Sequence, residues 1–178
     1  MPRATVAAFW ERVAARQAGL VSRRQLNWFG HDRHYVRGQL RAHLRAQGWQ
    51  EVSATVPATT TGRLTRGQLA WAGTLHAGPG SAVGGLTAAE MHGLAGWQRP
   101  AVTVLIGESV NVEPIPGVQF VKTRRDIVGF RSTHWSLPTW QVEPAVLLFA
   151  GYTRSSRTAV GVLAAAVQQG LTTPDRGA

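Results

Sequence analysis

The spacing of apolar residues at the start of the chain predicts three helices. Apolar side chains recur every three or four positions over 5–18 and again over 32–47, which is the period of one helix face. Between these segments, Ser22 and Gln25 form a capping-box pattern that opens a short second helix, and Gly30 ends it. The second and third helices are therefore expected to be joined by a tight turn that contains glycine.

The third predicted helix is amphipathic, and its polar face is cationic. Asp32 caps it, and Val36, Leu40 and Leu44 repeat every four residues to form its apolar stripe. At about 100° per residue, the basic side chains point roughly 100–180° away from the start of that stripe. They are His34, Arg37, Arg41 and Arg45. A capped helix followed by a tight turn and a cationic helix is typical of a helix-turn-helix, whose second helix enters the major groove of DNA.

After Gly48 the pattern changes from helical to alternating. β-Branched residues are frequent over 49–61, Pro57 interrupts them, and Gly62 closes the segment. This composition favours a two-stranded hairpin over a helix. Together with the preceding helices, the hairpin predicts a winged helix-turn-helix domain over residues 1–62.

Residues 63–178 are predicted to form a second, mixed α/β domain, so the expected fold class is α+β. Capping-box patterns at Thr65 and Thr87 predict two helices, and later helices are expected to begin at Pro144 and Ser155. Three strands are expected over 101–106, 117–121 and 127–135. Residues 172–175 resemble the start of one more helix, so the chain is expected to be a truncation of a longer protein.

Charge adds a partner class to this picture. The net charge is +10, and residues 1–70 hold eleven arginines against three acidic residues. A cationic excess concentrated in one part of a chain favours a polyanionic partner. The arginines of the third helix are expected to contact base edges, and those opening the second helix to contact phosphates. The residues expected to bind double-stranded DNA are Arg23, Arg24, Arg33, His34, Arg37, Arg41, Arg45 and Arg63. For Arg63, at the end of the hairpin, decoration of a linker is an equally good interpretation.

The same composition argues against enzyme chemistry. The chain has no cysteine, its histidines lack metal-ligand spacing, and its acidic residues are too scattered to hold a divalent cation. We therefore expect no catalytic residue, no metal and no cofactor. Neither a signal-peptide pattern nor an apolar run long enough to span a membrane is present in the sequence, so a cytoplasmic location is expected.

Three segments carry a family resemblance: VSRRQL at 21–26, AGPG at 77–80 and TAAEMHGL at 87–94. Over about residues 4–175 the chain resembles the AbiEi-type antitoxins of type IV toxin–antitoxin systems, especially the actinobacterial members. This resemblance implies an N-terminal winged helix that represses its own operon and a C-terminal domain that opposes a nucleotidyltransferase-like toxin. It implies structural roles for Thr87, His92 and Gly93.

Other interpretations remain open at this point. The chain could be a stand-alone regulator without a toxin partner. It could also be a DNA-targeting accessory domain of a nuclease or DNA-modifying protein whose catalytic module is absent. A monomer or a weak homodimer is expected.

Overall fold

The computed structural model describes residues 3–28, 33–46 and 48–173, and these form seven helices and two small sheets. The protein is therefore mixed α+β, as predicted. Its elements in chain order are α1 (Arg3–Arg16), α2 (Arg23–Trp28), α3 (Arg33–Ala46), β1 (Gln50–Ser53), β2 (Val56–Ala58), α4 (Arg66–Ala77), β3 (Ala82–Val83), α5 (Gly85–Met91), β4 (Val102–Gly107), β5 (Val118–Thr123), α6 (Val142–Tyr152) and α7 (Ser156–Gln168). The chain divides into two compact units, Met1–Pro79 and Gly80–Ala178.

The first three helices of the first unit share one core. Each contributes large apolar side chains, and Trp49 before β1 completes the cluster. Its buried members are Trp10, Val21, Leu26, Leu40 and Trp49. Leu40 belongs to the apolar stripe predicted for α3, and the half-buried Leu44 packs on the same cluster. The predicted stripe therefore faces the core where the structure describes it, while the side chain of Val36 lies outside the described residues.

The predicted capping box at the start of α2 is present. The Ser22 hydroxyl accepts a hydrogen bond from the Gln25 amide nitrogen at 3.2 Å, and Gln25 Oε1 accepts from the Ser22 amide nitrogen at 2.9 Å. Gln25 also donates through Nε2 to the side-chain oxygen of the buried Gln17 at 2.8 Å, which ties α2 to the end of α1. Gly30 and Asp32, the predicted end of α2 and cap of α3, lie outside the described residues.

The predicted hairpin is formed by β1 and β2, which pair antiparallel with an irregularity between Glu51 and Ser53. The segment between α1 and α2 runs along the other edge of β2. Leu20 forms an isolated antiparallel bridge with Ala58, and the Val21 amide donates to the Pro57 carbonyl at 3.2 Å. The two-stranded hairpin is therefore extended at the edge of β2 by a single paired residue, Leu20.

Helix α4 packs on this hairpin and closes a second buried cluster. The cluster contains Leu20, Val56, Ala58 and Ala72. The predicted capping box at Thr65 is present, and its partner Gln68 also donates to a carbonyl at the end of α1 at 3.1 Å. The structural division therefore assigns α4 to the first unit, whereas the sequence analysis placed the seam between residues 62 and 63.

The second unit is built on a three-stranded sheet of order β3-β4-β5. Strand β3 is antiparallel to β4, and β4 is parallel to β5. Segment 108–117 joins the parallel strands. At its start, Glu108 accepts a hydrogen bond at 2.6 Å from the exposed Arg124, which follows β5, and this bond raises the pKa of Arg124 above its ordinary value. Helices α5, α6 and α7 bury a separate cluster, which contains Leu86, Ala89, Leu94, Val142, Val146, Val162 and Ala166.

The strand expected over 127–135 is wrong, because residues 127–130 form a turn and the rest of the segment is irregular apart from one bridge. The Asp126 carboxylate accepts hydrogen bonds from the amides of Val128 and Gly129 at 3.0 and 2.9 Å, and such side-chain bonds stabilise a turn in place of a strand. In this segment only Arg131 forms an isolated bridge, with Trp140. The two-residue strand β3 was not predicted.

Two helices begin at other residues than the sequence predicted. Helix α5 begins at Gly85 with Gly84 as its N-cap, and the hydroxyl of Thr87 accepts from the Thr103 amide at 2.9 Å instead of capping the helix. Helix α6 begins at Val142, so Pro144 is its third residue. Proline is tolerated there because amides of the first turn have no intrahelical acceptor.

Candidate nucleic-acid interface

The exposed face of α3 carries a line of cations. Arg37, Arg41 and Arg45 follow one another at four-residue spacing, and all three are exposed. His34, one turn before Arg37, is exposed as well. At about 100° per residue, Arg37, Arg41 and Arg45 lie roughly 60°, 100° and 140° around the helix from the buried Leu40, so the arginines line one flank of α3 outside its core-facing stripe. We call His34, Arg37, Arg41 and Arg45 the α3 basic face.

The chain carries little negative charge to neutralise this face. Helix α3 contains no acidic residue, and none of its three exposed arginines has a carboxylate partner among the described residues. Gly38 and Ala42 are also exposed and lie beside the arginine line, so the helix backbone is covered only by small side chains there. The face is therefore narrow, strongly positive and open to close approach by a flat or grooved polyanion.

A second group of cations lies at the start of α2. Arg24 is exposed, and its guanidinium lies at the end of α4, with Nη1 3.4 Å from the position that a Cβ on Gly78 would occupy. Arg23 is half-buried and forms an ion pair with Glu51 on β1, with Nη2 2.8 Å from Oε1. Its amide also donates to the Thr55 carbonyl at 2.8 Å. Arg23 is therefore already engaged by the hairpin on both its backbone and its side chain.

Helix α4 also holds the hairpin turn, through His76. His76 Nδ1 lies 3.1 Å from the Ser53 hydroxyl and 2.7 Å from the Thr55 hydroxyl. The start of α2, the hairpin turn and the end of α4 thus form one hydrogen-bonded junction. This junction holds Arg23 beside the turn, and the exposed Arg24 follows it in the chain.

The remaining predicted residues are placed less completely. Arg33 is the first residue of α3, and its side chain lies outside the described residues. Arg63 is exposed in the loop between β2 and α4. The sequence analysis overlooked Glu51 and His76, which the structure brings to this junction. Glu51 is 28 positions from Arg23, so no local spacing signals their pairing.

Other kinds of site find no support in the part of the chain that the structure describes. There, no group of three or more histidine, aspartate or glutamate side chains is placed to hold a metal ion. Across the same residues, no helix has both the length and the apolar character needed to cross a membrane. Comparison with known proteins adds no assignment, since no protein-family model matches this chain and no curated protein matches it.

Proposed function

We propose that the first unit is a winged helix-turn-helix that binds double-stranded DNA, and that the protein is a sequence-specific transcriptional regulator without enzymatic activity. The α3 basic face carries this proposal. Three exposed arginines at four-residue spacing, on a helix without acids, match what the major groove accepts. It admits one helix, and arginine is the commonest reader of guanine there.

The order of elements around that face supports the winged-helix part of the proposal. A helix, a bridging residue at Leu20, two further helices and a hairpin follow one another, and the bridge pairs with β2 of that hairpin. In this arrangement α2 supports α3, and the hairpin lies beside the start of α2. Helix α2 and the hairpin would then face the DNA backbone on either side of the groove that α3 enters.

Each group of cations has a distinct role in the proposal. Arg37, Arg41 and Arg45 would contact base edges and the flanking phosphates, and the small Gly38 and Ala42 would let α3 sit deep in the groove. Arg24 would contact a phosphate from the start of α2. Arg23 would do so only when it exchanges Glu51 for phosphate, because the ion pair holds it in the free protein.

The family resemblance extends the proposal to an antitoxin that represses its own promoter. Under this proposal the second unit opposes a nucleotidyltransferase-like toxin encoded nearby. Co-expression tests that step by itself: a neighbouring toxin gene should arrest growth, and this chain should restore it. Growth that stays arrested would leave the protein as a regulator without antitoxin activity.

Fluorescence anisotropy tests DNA binding directly. The probe is a labelled duplex of the gene's own upstream region, compared with a scrambled duplex between ~50 and ~200 mM salt. The test variant is Arg41→Ala/Arg45→Ala, and the matched control is Arg12→Ala/Arg16→Ala. The control pair lies on α1, has the same spacing, is also exposed and removes the same charge.

We expect the upstream duplex to bind more tightly at the higher salt and the α3 variant to lose this preference. A bidentate arginine–guanine contact contributes about 1–3 kcal/mol of discrimination, so even one lost contact lowers affinity by at least about fivefold. The α1 variant should weaken both duplexes slightly and equally. Equal binding of both duplexes, or equal losses in the two variants, would mean that the α3 basic face acts only as unspecific charge.

A further inference from the structure

The second unit contains an open cleft of about 570 Å³ on one face of β4 and β5. The floor comes from the two parallel strands, and the walls come from the start of α5, the end of α6 and the segment before β4. The residues that line it are Gly85, Leu86, Arg99, Pro100, Ala101, Thr103, Gln119, Val121, Leu148, Phe149, Tyr152 and Thr153.

The register of the sheet and the glycine at position 84 explain how this cleft is formed. Thr103 pairs with Gln119, and alternate residues of parallel neighbours share a face, so both strands contribute to the floor. A Cβ on Gly84 would overlap the side chain of Leu105, so glycine there lets α5 begin close to β4. Gln119 of the edge strand β5 nevertheless remains exposed. The helices therefore cover β4 on this face and leave β5 open.

The lining of the cleft combines apolar side chains with a single positive charge. Its walls are mostly apolar, and Arg99 is the single charged residue among those that line the cleft. The Arg99 guanidinium lies 5.9 Å from the centre of the Phe149 ring, a cation–π distance that orients it against the wall. Tyr152 stands at the mouth with 67% of its surface exposed, and the floor offers the Thr103 hydroxyl and the Gln119 amide.

We propose that this cleft binds a small organic anion with a flat apolar body, of the aryl carboxylate class. The carboxylate would pair with the Arg99 guanidinium, whose planar fork suits a carboxylate. The ring would lie between the apolar walls, with Tyr152 free to close over it. The volume falls within the range of small-molecule sites, about 300–1,000 Å³. This inference does not depend on DNA binding.

The test uses the full chain, labelled with ¹⁵N, and 1-naphthoate as the probe. Its neutral isostere, 1-naphthamide, is the matched ligand, because it keeps the ring and loses the charge. Arg99→Gln removes the proposed partner, and Arg99→Lys keeps the charge without the fork. Arg157→Gln on α7 is the protein control, since Arg157 is an exposed arginine of the same unit that does not line the cleft.

We expect saturable shifts of the amide signals of Thr103, Gln119 and Val121 with naphthoate, and binding of naphthamide weaker by about tenfold or more. Hydrogen bonds to charged groups contribute about 1.5–3 kcal/mol, which corresponds to a loss of about tenfold or more in Arg99→Gln. Arg99→Lys should retain part of the preference, and Arg157→Gln all of it. No saturable shift with naphthoate, shifts confined to residues outside the cleft, or equal binding of the two ligands would overturn the proposal.

Discussion

Replacing Glu51 with glutamine should make the protein bind DNA more tightly, if the first unit binds DNA as proposed. The Glu51 carboxylate lies 2.8 Å from Arg23 Nη2, and the two side chains are 49% and 40% exposed. An ion pair this exposed contributes only about 0–1 kcal/mol to stability, so the variant should fold normally. The substitution removes the competitor that holds Arg23, and this arginine then becomes available to phosphate.

Counterion release sets the size of the effect. Each phosphate neutralised on duplex DNA adds about 0.9 to the magnitude of the slope of log affinity against log salt. One added contact therefore raises affinity roughly fifteenfold at ~50 mM salt and roughly fourfold at ~200 mM salt. The gain of the variant over the parent should accordingly fall by about 3.5-fold across this range.

Anisotropy titrations of Glu51→Gln across that salt range measure both the gain in DNA affinity and its dependence on salt. The control is Glu11→Gln, because Glu11 is an exposed carboxylate of α1 in the same unit and its removal changes the net charge equally. We expect Glu11→Gln to leave the salt slope unchanged. An unchanged or weaker affinity in Glu51→Gln would refute the reasoning, and a weaker one would mean that Glu51 orients Arg23 for its phosphate.

Two further predictions concern packing, and urea unfolding followed by circular dichroism measures both. Leu26→Ala should lower the free energy of unfolding of the first unit by about 2–5 kcal/mol, because Leu26 is fully buried between the three helices. Its control is Asn27→Ala at an exposed position, which should change the free energy of unfolding by less than about 0.5 kcal/mol. Gly84→Ala should cost about 1–3 kcal/mol, because its Cβ would overlap the buried Leu105 side chain. Gly67→Ala on α4 is its control and should be neutral or stabilising, since a Cβ there meets open space. Equal effects within either pair would contradict the packing described above.

The sequence predicted the helices and the hairpin of the first unit because their signals are local. The capping boxes at Ser22 and Thr65 each satisfy amides within four residues, so a short window contains the whole interaction. The apolar and basic positions of α3 likewise depend only on helical period. The pairing of Leu20 with Ala58 was outside the reach of such reasoning, because a single bridge leaves no alternating pattern.

The second unit was predicted less well because distant partners override local patterns. Thr87 and Glu90 have the spacing of a capping box, yet the Thr87 hydroxyl binds the Thr103 amide sixteen residues away. The apolar residues over 127–135 suggested a strand, but the Asp126 carboxylate holds the first of them in a turn. The cleft was also invisible in the sequence, since its lining comes from four separate segments.

The position of α4 connects the fold with the charge distribution. The segment 63–79 adds two arginines and no acidic residue to the predicted domain 1–62, so the first unit as a whole holds eleven arginines against three carboxylates. The same segment covers Leu20 and Val56, and its His76 binds the hairpin turn. A domain that ended at residue 62 would expose this cluster and release the turn beside Arg23. Helix α4 is therefore part of what positions the proposed phosphate contacts.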